Sequence, residues 1–343
     1  MIALDAMGGD NAPAMVIEGA ALALRRLPQL RFLLFGDQQR LATLLQRHPK
    51  LAEQAEIRHA AQVIGPGDKP AHALRRGAQS SMRLAIDVVR DGHAAAAVSA
   101  GNTGALLALG MYVLKTQPGI DRPAMVSYFP TARGESAMLD LGANVQCDAR
   151  HRVQFAILGA GFARSVLGVE RPTVGLLNIG AEELKGNEAV REAGQILREA
   201  KFGFDFHGFV EGDDIGAGIV DVVVTDGFTG NVALKATEGT AKLIASFLAL
   251  AFRRSIFSKI GYVLAKPALD ALRAKLDPRQ YNGAMFVGLN GVLVKSHGGT
   301  DAQGFASAIT VAADMIKGDF NERIHADLDE FDHRVSPAKA AAS

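Results

Sequence analysis

The chain alternates short, fully apolar runs with longer stretches whose apolar positions recur every three or four residues, the periods of buried strands and one-sided helices. The clearest unit is Val220-Asp-Val-Val-Val-Thr-Asp-Gly-Phe-Thr-Gly-Asn-Val-Ala-Leu-Lys235. Its β-branched run predicts a strand over 220–224, its small polar residues a loop over 225–230, and the spacing beyond Asn231 a helix that continues past Leu243. The same succession recurs at 94–98, 99–104 and 105–115. A third copy starts at the strand 2–6 and the loop 7–13, followed by a helix with Val16, Ala20, Leu24 and Leu27 on one face. Further strands are expected at 31–35, 56–60, 172–179, 204–210, 284–288 and 292–295. Helices are expected at 38–47, 74–90, 151–167, from 187 to 201, at 302–317 and at 320–332. The runs 125–129 and 136–141 flank a hairpin signal at 131–134. Strands alternating with helices imply an α/β fold, a doubly wound and mostly parallel Rossmann-like sheet with one antiparallel excursion. Ligands of such sheets gather outside the carboxyl ends of the strands.

From residue 241 to 276 the pattern changes to long helix, with Pro267 expected to divide it into two. Ile256, Ile260, Val263 and Leu264 share a face, while Arg253, Arg254, Lys259, Lys266, Arg273 and Lys275 stand against a single acid, Asp270. We therefore expect one catalytic domain over 1–335, with a helical protrusion at 241–281 and a disordered small-residue tail at 336–343. An apolar stripe beside basic residues fits a dimer contact, an acidic carrier protein or an acidic lipid surface. The residues placed at such a contact are Arg253, Arg254, Ile256, Lys259, Ile260, Leu264 and Lys266.

Composition narrows the class without changing it. Of 343 residues 48% are hydrophobic and 21% charged, with 37 glycines, no tryptophan and 4 tyrosines, the profile of a glycine-rich α/β enzyme with little to stack on bases. A formal net charge of +1 gives no general attraction to nucleic acid. The start of the chain runs straight into a strand with no basic stretch before it, which argues against a secretory signal. The longest largely apolar run, 243–252, falls well short of the ~20 residues that span a bilayer. A single cysteine, Cys147, fits a reducing compartment, so a cytoplasmic protein is expected.

The two loops 99–104 and 225–230 both read Ser/Thr-x-Gly-x-Thr-Gly, and both lead from a strand into a helix. Backbone N–H groups and a helix N-terminus suit an anion there, and the pair reads as two sides of one phosphate-sized pocket. Polar residues at the expected strand ends extend it: Asp5, Gly8, Gly9, Asp10, Ser99, Asn102, Thr103, Gly104, Asn144, Asn187, Asp226, Thr229 and Gly230. Thr103 and Thr229 serve equally as helix caps. Lys185, close to a helix start where a cation is unfavourable, makes sense beside an anion, and Asn231 and His297 complete the polar set. Metal-ligand spacing, a nucleophile elbow and a complete Walker loop are all missing from the sequence, so no cofactor is expected. The run Gly159-Ala-Gly-Phe-Ala-Arg164 has arginine where a dinucleotide loop needs its third glycine, and helical spacing accounts for it better.

Six collinear motifs carry a resemblance. Asp5-Ala-Met-Gly-Gly-Asp-Asn-Ala-Pro13, Ser99-Ala-Gly-Asn-Thr-Gly-Ala105, Leu139-Asp-Leu-Gly-Ala-Asn144, Leu177-Asn-Ile-Gly-Ala-Glu-Glu-Leu-Lys-Gly-Asn187, Gly208-Phe-Val-Glu-Gly212 and Val224-Thr-Asp-Gly-Phe-Thr-Gly-Asn-Val232 resemble the PlsX family of acyl-carrier-protein:phosphate acyltransferases. His297-Gly-Gly fits as well, and the likeness runs from Ile2 to about Phe331. It implies transfer of a long fatty acyl group from acyl-carrier protein to inorganic phosphate, giving acyl phosphate for a membrane glycerol-3-phosphate acyltransferase. It also implies a homodimer, soluble but peripherally attached to the membrane, with the fold of phosphotransacetylases and isocitrate-dehydrogenase-like enzymes. Phosphate would attack the thioester directly, with Lys185, Asn231 and His297 as catalytic residues. A phosphotransacetylase acting on a small acyl-CoA is the alternative, since it shares the phosphate loops; a nicotinamide-dependent dehydrogenase or a non-catalytic scaffold on this fold has less support.

Overall fold

The computed structural model describes residues 1–277, 279–318, 320, 324 and 327–331. The expected tail at 336–343 lies outside them, as does part of the expected helix at 320–332, of which Phe320, Ile324, Leu328 and Phe331 are buried in the core.

Among the described residues eleven strands form one sheet. In chain order they are β1 (Ile2–Asp5), β2 (Phe32–Gly36), β3 (Ala55–His59), β4 (Ala96–Ser99), β5 (Ala124–Thr131) and β6 (Gly134–Leu139). Then come β7 (Thr173–Leu177), β8 (Asp205–Val210), β9 (Val222–Val224), β10 (Ala284–Val287) and β11 (Val292–Lys295). The order across the sheet is β3-β2-β1-β4-β11-β10-β5-β6-β9-β7-β8. β1 to β4 and β11 are mutually parallel, and so, in a second set, are β6, β9, β7 and β8. The joint between the sets is antiparallel, β10 pairing with both β11 and β5, and β5 with β6. The predicted hairpin is therefore present, and it reverses the polarity of every strand beyond it.

Helices cover the sheet: α1 (Ala14–Arg26), α2 (Gln38–Leu45), α3 (Pro49–Ala52), α4 (Pro70–Arg76), α5 (Ser81–Arg90) and α6 (Thr103–Leu114) in the first half. The second half adds α7 (Ala149–Phe162), α8 (Glu188–Glu199), α9 (Gly212–Ala217), α10 (Gly227–Arg253), α11 (Ile256–Lys275) and α12 (Ala302–Lys317). The 159–164 run lies in α7 and the π turn that follows it, Ala163–Leu167, so helical spacing was the correct guide there. Strands such as β1 and β4 are buried on both faces, which is why they read as unbroken apolar runs.

Three boundaries differ from expectation. The single helix at 74–90 is two, because Gly77 closes α4 through its N–H to Ala73 O while the Ser80 hydroxyl accepts from Arg83 N to start α5. The break expected at Pro267 falls at Arg254–Ser255, where the Ser255 hydroxyl caps α11 by accepting from Ser258 N. Pro267 sits inside α11, tolerated because the residue four before it, Val263, is 67% exposed and water can take its freed carbonyl. Finally, the loop over 225–230 is shorter than predicted: α10 begins at Gly227, so Thr229, Gly230 and Asn231 are already helical.

Candidate active site

The carboxyl ends of β1, β4 and β11 form one edge. Asp5 is buried there, accepts from the Ser99 hydroxyl at 2.7 Å and from Met7 N at 3.3 Å, and burial raises its carboxyl pKa against those donors. Gly8 packs so closely on this pair that a Cβ would collide with Asp5 Oδ2 and with the backbone N of Gly101. The loop holding Gly9 and Asp10 is tied to the last strand by Asp10 N donating to Gly298 O at 2.9 Å. His297 is exposed and accepts from Gly299 N through Nδ1 at 3.1 Å. Asn102, rather than Thr103, caps α6 by accepting from Ala105 N, and its amide donates to Pro66 O and Asp68 O. Gly104 faces Pro70.

Beneath this edge lies Lys295, which the motif reading passed over because it ends an apolar strand. It is 8% exposed, its ammonium donates to Ala100 O and Ser296 O, and burial pushes its pKa down to about 8 although Asp5 and Asp10 pull the other way. A lysine that is harder to protonate folded than unfolded destabilises the fold while charged in both states, below about pH 8, and the penalty disappears as pH rises towards the unfolded value. Compared with Lys295→Met, the wild type should therefore gain about 2 kcal/mol between about pH 7.5 and 9.5, read as the difference in urea unfolding of the two proteins. A difference that stays constant over that interval would show that the amine is not desolvated.

The second edge is formed by the carboxyl ends of β6, β9 and β7, where Leu139, Val224 and Leu176 stand side by side in register. Asp140 organises it: its carboxylate accepts from Met125 N, Gly142 N, Ala143 N and Asn144 N, while burial raises its pKa against those bonds. Asn144 spends its amide protons on Pro123 O and Asp140 Oδ2, so it braces the loop from within. Gly230 seats α10 on this loop, since a Cβ there would run into Asp140 O. Asp226 caps α10 by accepting from Thr229 N at 2.8 Å, and its other oxygen pairs with buried Arg152 at 2.8 Å. The guanidinium also donates to Cys147 O.

Asn187 and Asp226 line a common recess of about 580 Å³, together with Arg122, Val145, Cys147, Asp148, His151 and Arg152. Three helices begin at its wall: α7 capped by Asp148, α8 by Asn187 and α10 by Asp226. Each N-terminus contributes roughly half a positive charge. Asp226 is paired with Arg152, Asp148 and His151 form a capping box in which His151 N donates to Asp148 Oδ1 and Asp148 N donates to His151 Nδ1, and Arg122 forms no ion pair among the described residues. What remains is a hollow whose two arginines balance its two acids and whose helix N-termini supply backbone donors, suited to a small anion. The sequence reading missed Arg122, His151 and Arg152. Nothing in the run Ala149-Arg-His-Arg-Val153 marks Arg152 as the buried one of its basic residues.

Lys185 and Asn231 belong to this edge but do not line the recess. Lys185 is exposed two residues before Asn187, its carbonyl accepting from the Asn178 amide, and Asn231 is exposed beside Gly142. The expected single pocket is not found within one chain: β4 and β9 have four strands between them, roughly 24 Å of sheet, and the two hydroxyl loops share no hydrogen bond among the described residues. His297, on β11's loop, is separated in the same way from Lys185 and Asn231. The antiparallel joint is the cause, because it sends the two parallel sets in opposite directions.

A doubly wound sheet with a donor-rich recess at helix N-termini is an α/β architecture of the kind that hosts ligands at strand ends. Residues 1–323 match the fatty acid synthesis protein family. A phosphate acyltransferase of Rhodospirillum centenum is 58% identical over 327 residues, covering 95% of this chain and 92% of the relative. That of Paramagnetospirillum magneticum is 52% identical over 342 residues, covering 99% and 97%. A phosphotransacetylase from Streptococcus pyogenes shares the fold, with a TM-score of 0.62 at 17% identity over 92% of this chain and 93% of that one. The chain belongs to the fatty acid synthesis protein family and is an acyltransferase.

Proposed function

We propose that this protein transfers a long-chain fatty acyl group from acyl-carrier protein to inorganic phosphate, giving acyl phosphate for phospholipid synthesis. The observation that carries the reading is the meeting of three helix N-termini with Arg122 at one recess, a seat for a phosphate dianion. Relatives more than half identical and named phosphate acyltransferase support it.

In the reaction a phosphate oxygen attacks the thioester carbonyl carbon, the C–O bond forms as the C–S bond breaks, and the departing thiolate takes up the proton that phosphate gives up. Fixing the anion beside the carbonyl supplies most of the rate, and Lys185 and Asn231 on the same edge stabilise the developing oxyanion. Asn187, Asp226, Thr229 and Gly230 shape the phosphate seat, while Asp5, Gly8, Gly9, Asp10, Ser99 and His297 support the opposite edge. Cys147 takes no part as a nucleophile: burial pushes its thiol up to about 11, with Arg152 pulling the other way.

The arm formed by α10 and α11 leaves Leu243, Phe247, Ile256, Ile260 and Leu264 more than half exposed, and we assign it to a homodimer contact, the acidic carrier protein or the membrane surface. Among the described residues no helix is long and apolar enough to cross a membrane. Sedimentation with and without anionic vesicles separates self-association from lipid contact.

Incubation with palmitoyl-carrier protein and radiolabelled phosphate should yield labelled palmitoyl phosphate only when the protein is present. Faster reaction with acetyl-CoA would move the assignment to a phosphotransacetylase. No labelled acyl phosphate from any donor would end the reading.

A further inference from the structure

Four large apolar side chains stay in solvent along the second edge: Val145 at 68% exposure, Ile179 at 79%, Phe228 at 63% and Val232 at 51%. Their positions follow from the ladder. Val145 stands on the loop after β6, Ile179 two residues beyond the end of β7, and Phe228 and Val232 on the first turns of α10 after β9, three strands that are neighbours in the sheet. Val145 lines the recess itself, and Gly227 packs on the backbone of Asn144, bringing the start of α10 against the loop that carries Val145. Phe228 and Val232 are one helical turn apart and so share a face of α10. None of the four belongs to the core, although their neighbours Leu139, Leu176 and Val224 do.

A donor-rich recess at helix N-termini beside exposed apolar side chains is the complement of an amphipathic molecule with an anionic head and a hydrocarbon tail. We propose that Val145, Ile179, Phe228 and Val232 seat the acyl chain of the substrate and select for long chains, an inference that rests on acyl transfer to phosphate at the recess. The tail lies along these side chains while the carbonyl points to the anion. Each methylene that reaches them contributes about fourfold to kcat/KM, so discrimination against short chains comes from Ile179 and Phe228 and not from the polar groups of the recess.

The test compares butyryl- and palmitoyl-carrier protein as donors for the wild type and for the double variant Ile179→Ser/Phe228→Ser. Both residues are exposed, so the variant should unfold at the wild-type urea concentration. We expect kcat/KM with the palmitoyl donor to fall by about tenfold or more and with the butyryl donor to stay within about twofold, phosphate KM being unchanged. An equal fall for both donors, or no fall for either, would overturn the assignment. A variant that turns monomeric where the wild type is dimeric would give these side chains to a second copy instead. Wild type that forms acyl phosphate from neither donor would remove the transfer reading, and the inference with it, whereas the variant results bear on the inference alone.

Discussion

Asn231→Ala is expected to lower turnover by roughly 10²–10³-fold, the usual loss when one oxyanion donor is removed, without shifting the unfolding transition. Asn231 is the fifth residue of α10 and exposed, and its amide makes no hydrogen bond among the described residues. Alanine there improves helix propensity, so the fold loses nothing. An amide kept at a helix start, beside the Gly142 loop and on the edge that holds the recess, has no structural task to explain it. Lys185→Ala should behave similarly, because this lysine has no ion pair among the described residues and stands two positions before the Asn187 cap of α8. Asn231→Asp keeps the shape but sets a carboxylate against phosphate, and should be slower than Asn231→Ala at low ionic strength. The measurement is kcat with saturating acyl-carrier protein and phosphate, alongside urea unfolding of each variant. Turnover within a few-fold of wild type would strike that residue from the catalytic set.

The separation of Asn231 from His297 marks where the sequence stopped being informative. Each strand was legible singly, since runs such as Val222–Val224 are β-branched and buried on both faces, and the loop after each could be read for its polar groups. Pairing was not legible, because which strand lies beside which is decided by packing between residues far apart in the chain. β10 and β11 come last among the strands yet insert between β4 and β5, carrying Lys295 and His297 to the first edge. Two similar hydroxyl loops therefore looked like partners when they belong to opposite sets. Helix caps showed the same limit on a smaller scale: Asp226 and Asn102 outcompete Thr229 and Thr103 because the residue directly before the first turn places its side-chain oxygen on the N–H three residues ahead. Arg152 was hidden beside Arg150 and His151 at the polar start of α7, and its partner, Asp226, lies 74 residues later.

That pair carries the largest expected change in stability. Asp226→Ala removes a cap worth about 1 kcal/mol and leaves the Arg152 guanidinium, whose side chain is 4% exposed, facing only carbonyl groups. Stranding a buried charge in this way costs about 3–5 kcal/mol, a large part of the roughly 5–15 kcal/mol that holds a typical domain. Asp226→Asn keeps an oxygen for Thr229 N but loses the charge, so it should fall between the two. Adding Arg152→Met to Asp226→Ala removes the stranded cation and should recover most of the loss, which an independent pair of sites would not do. Urea midpoints of the single and double variants give the coupling directly, and additive losses would show that the two side chains do not depend on each other. Phosphate supplies a second reading. In Asp226→Asn the guanidinium is released towards the recess, so added phosphate should raise the variant's midpoint more than the wild type's, by mass action on a site that has become more cationic. That outcome would give Asp226 two functions at once, starting α10 and holding the Arg152 guanidinium away from the recess.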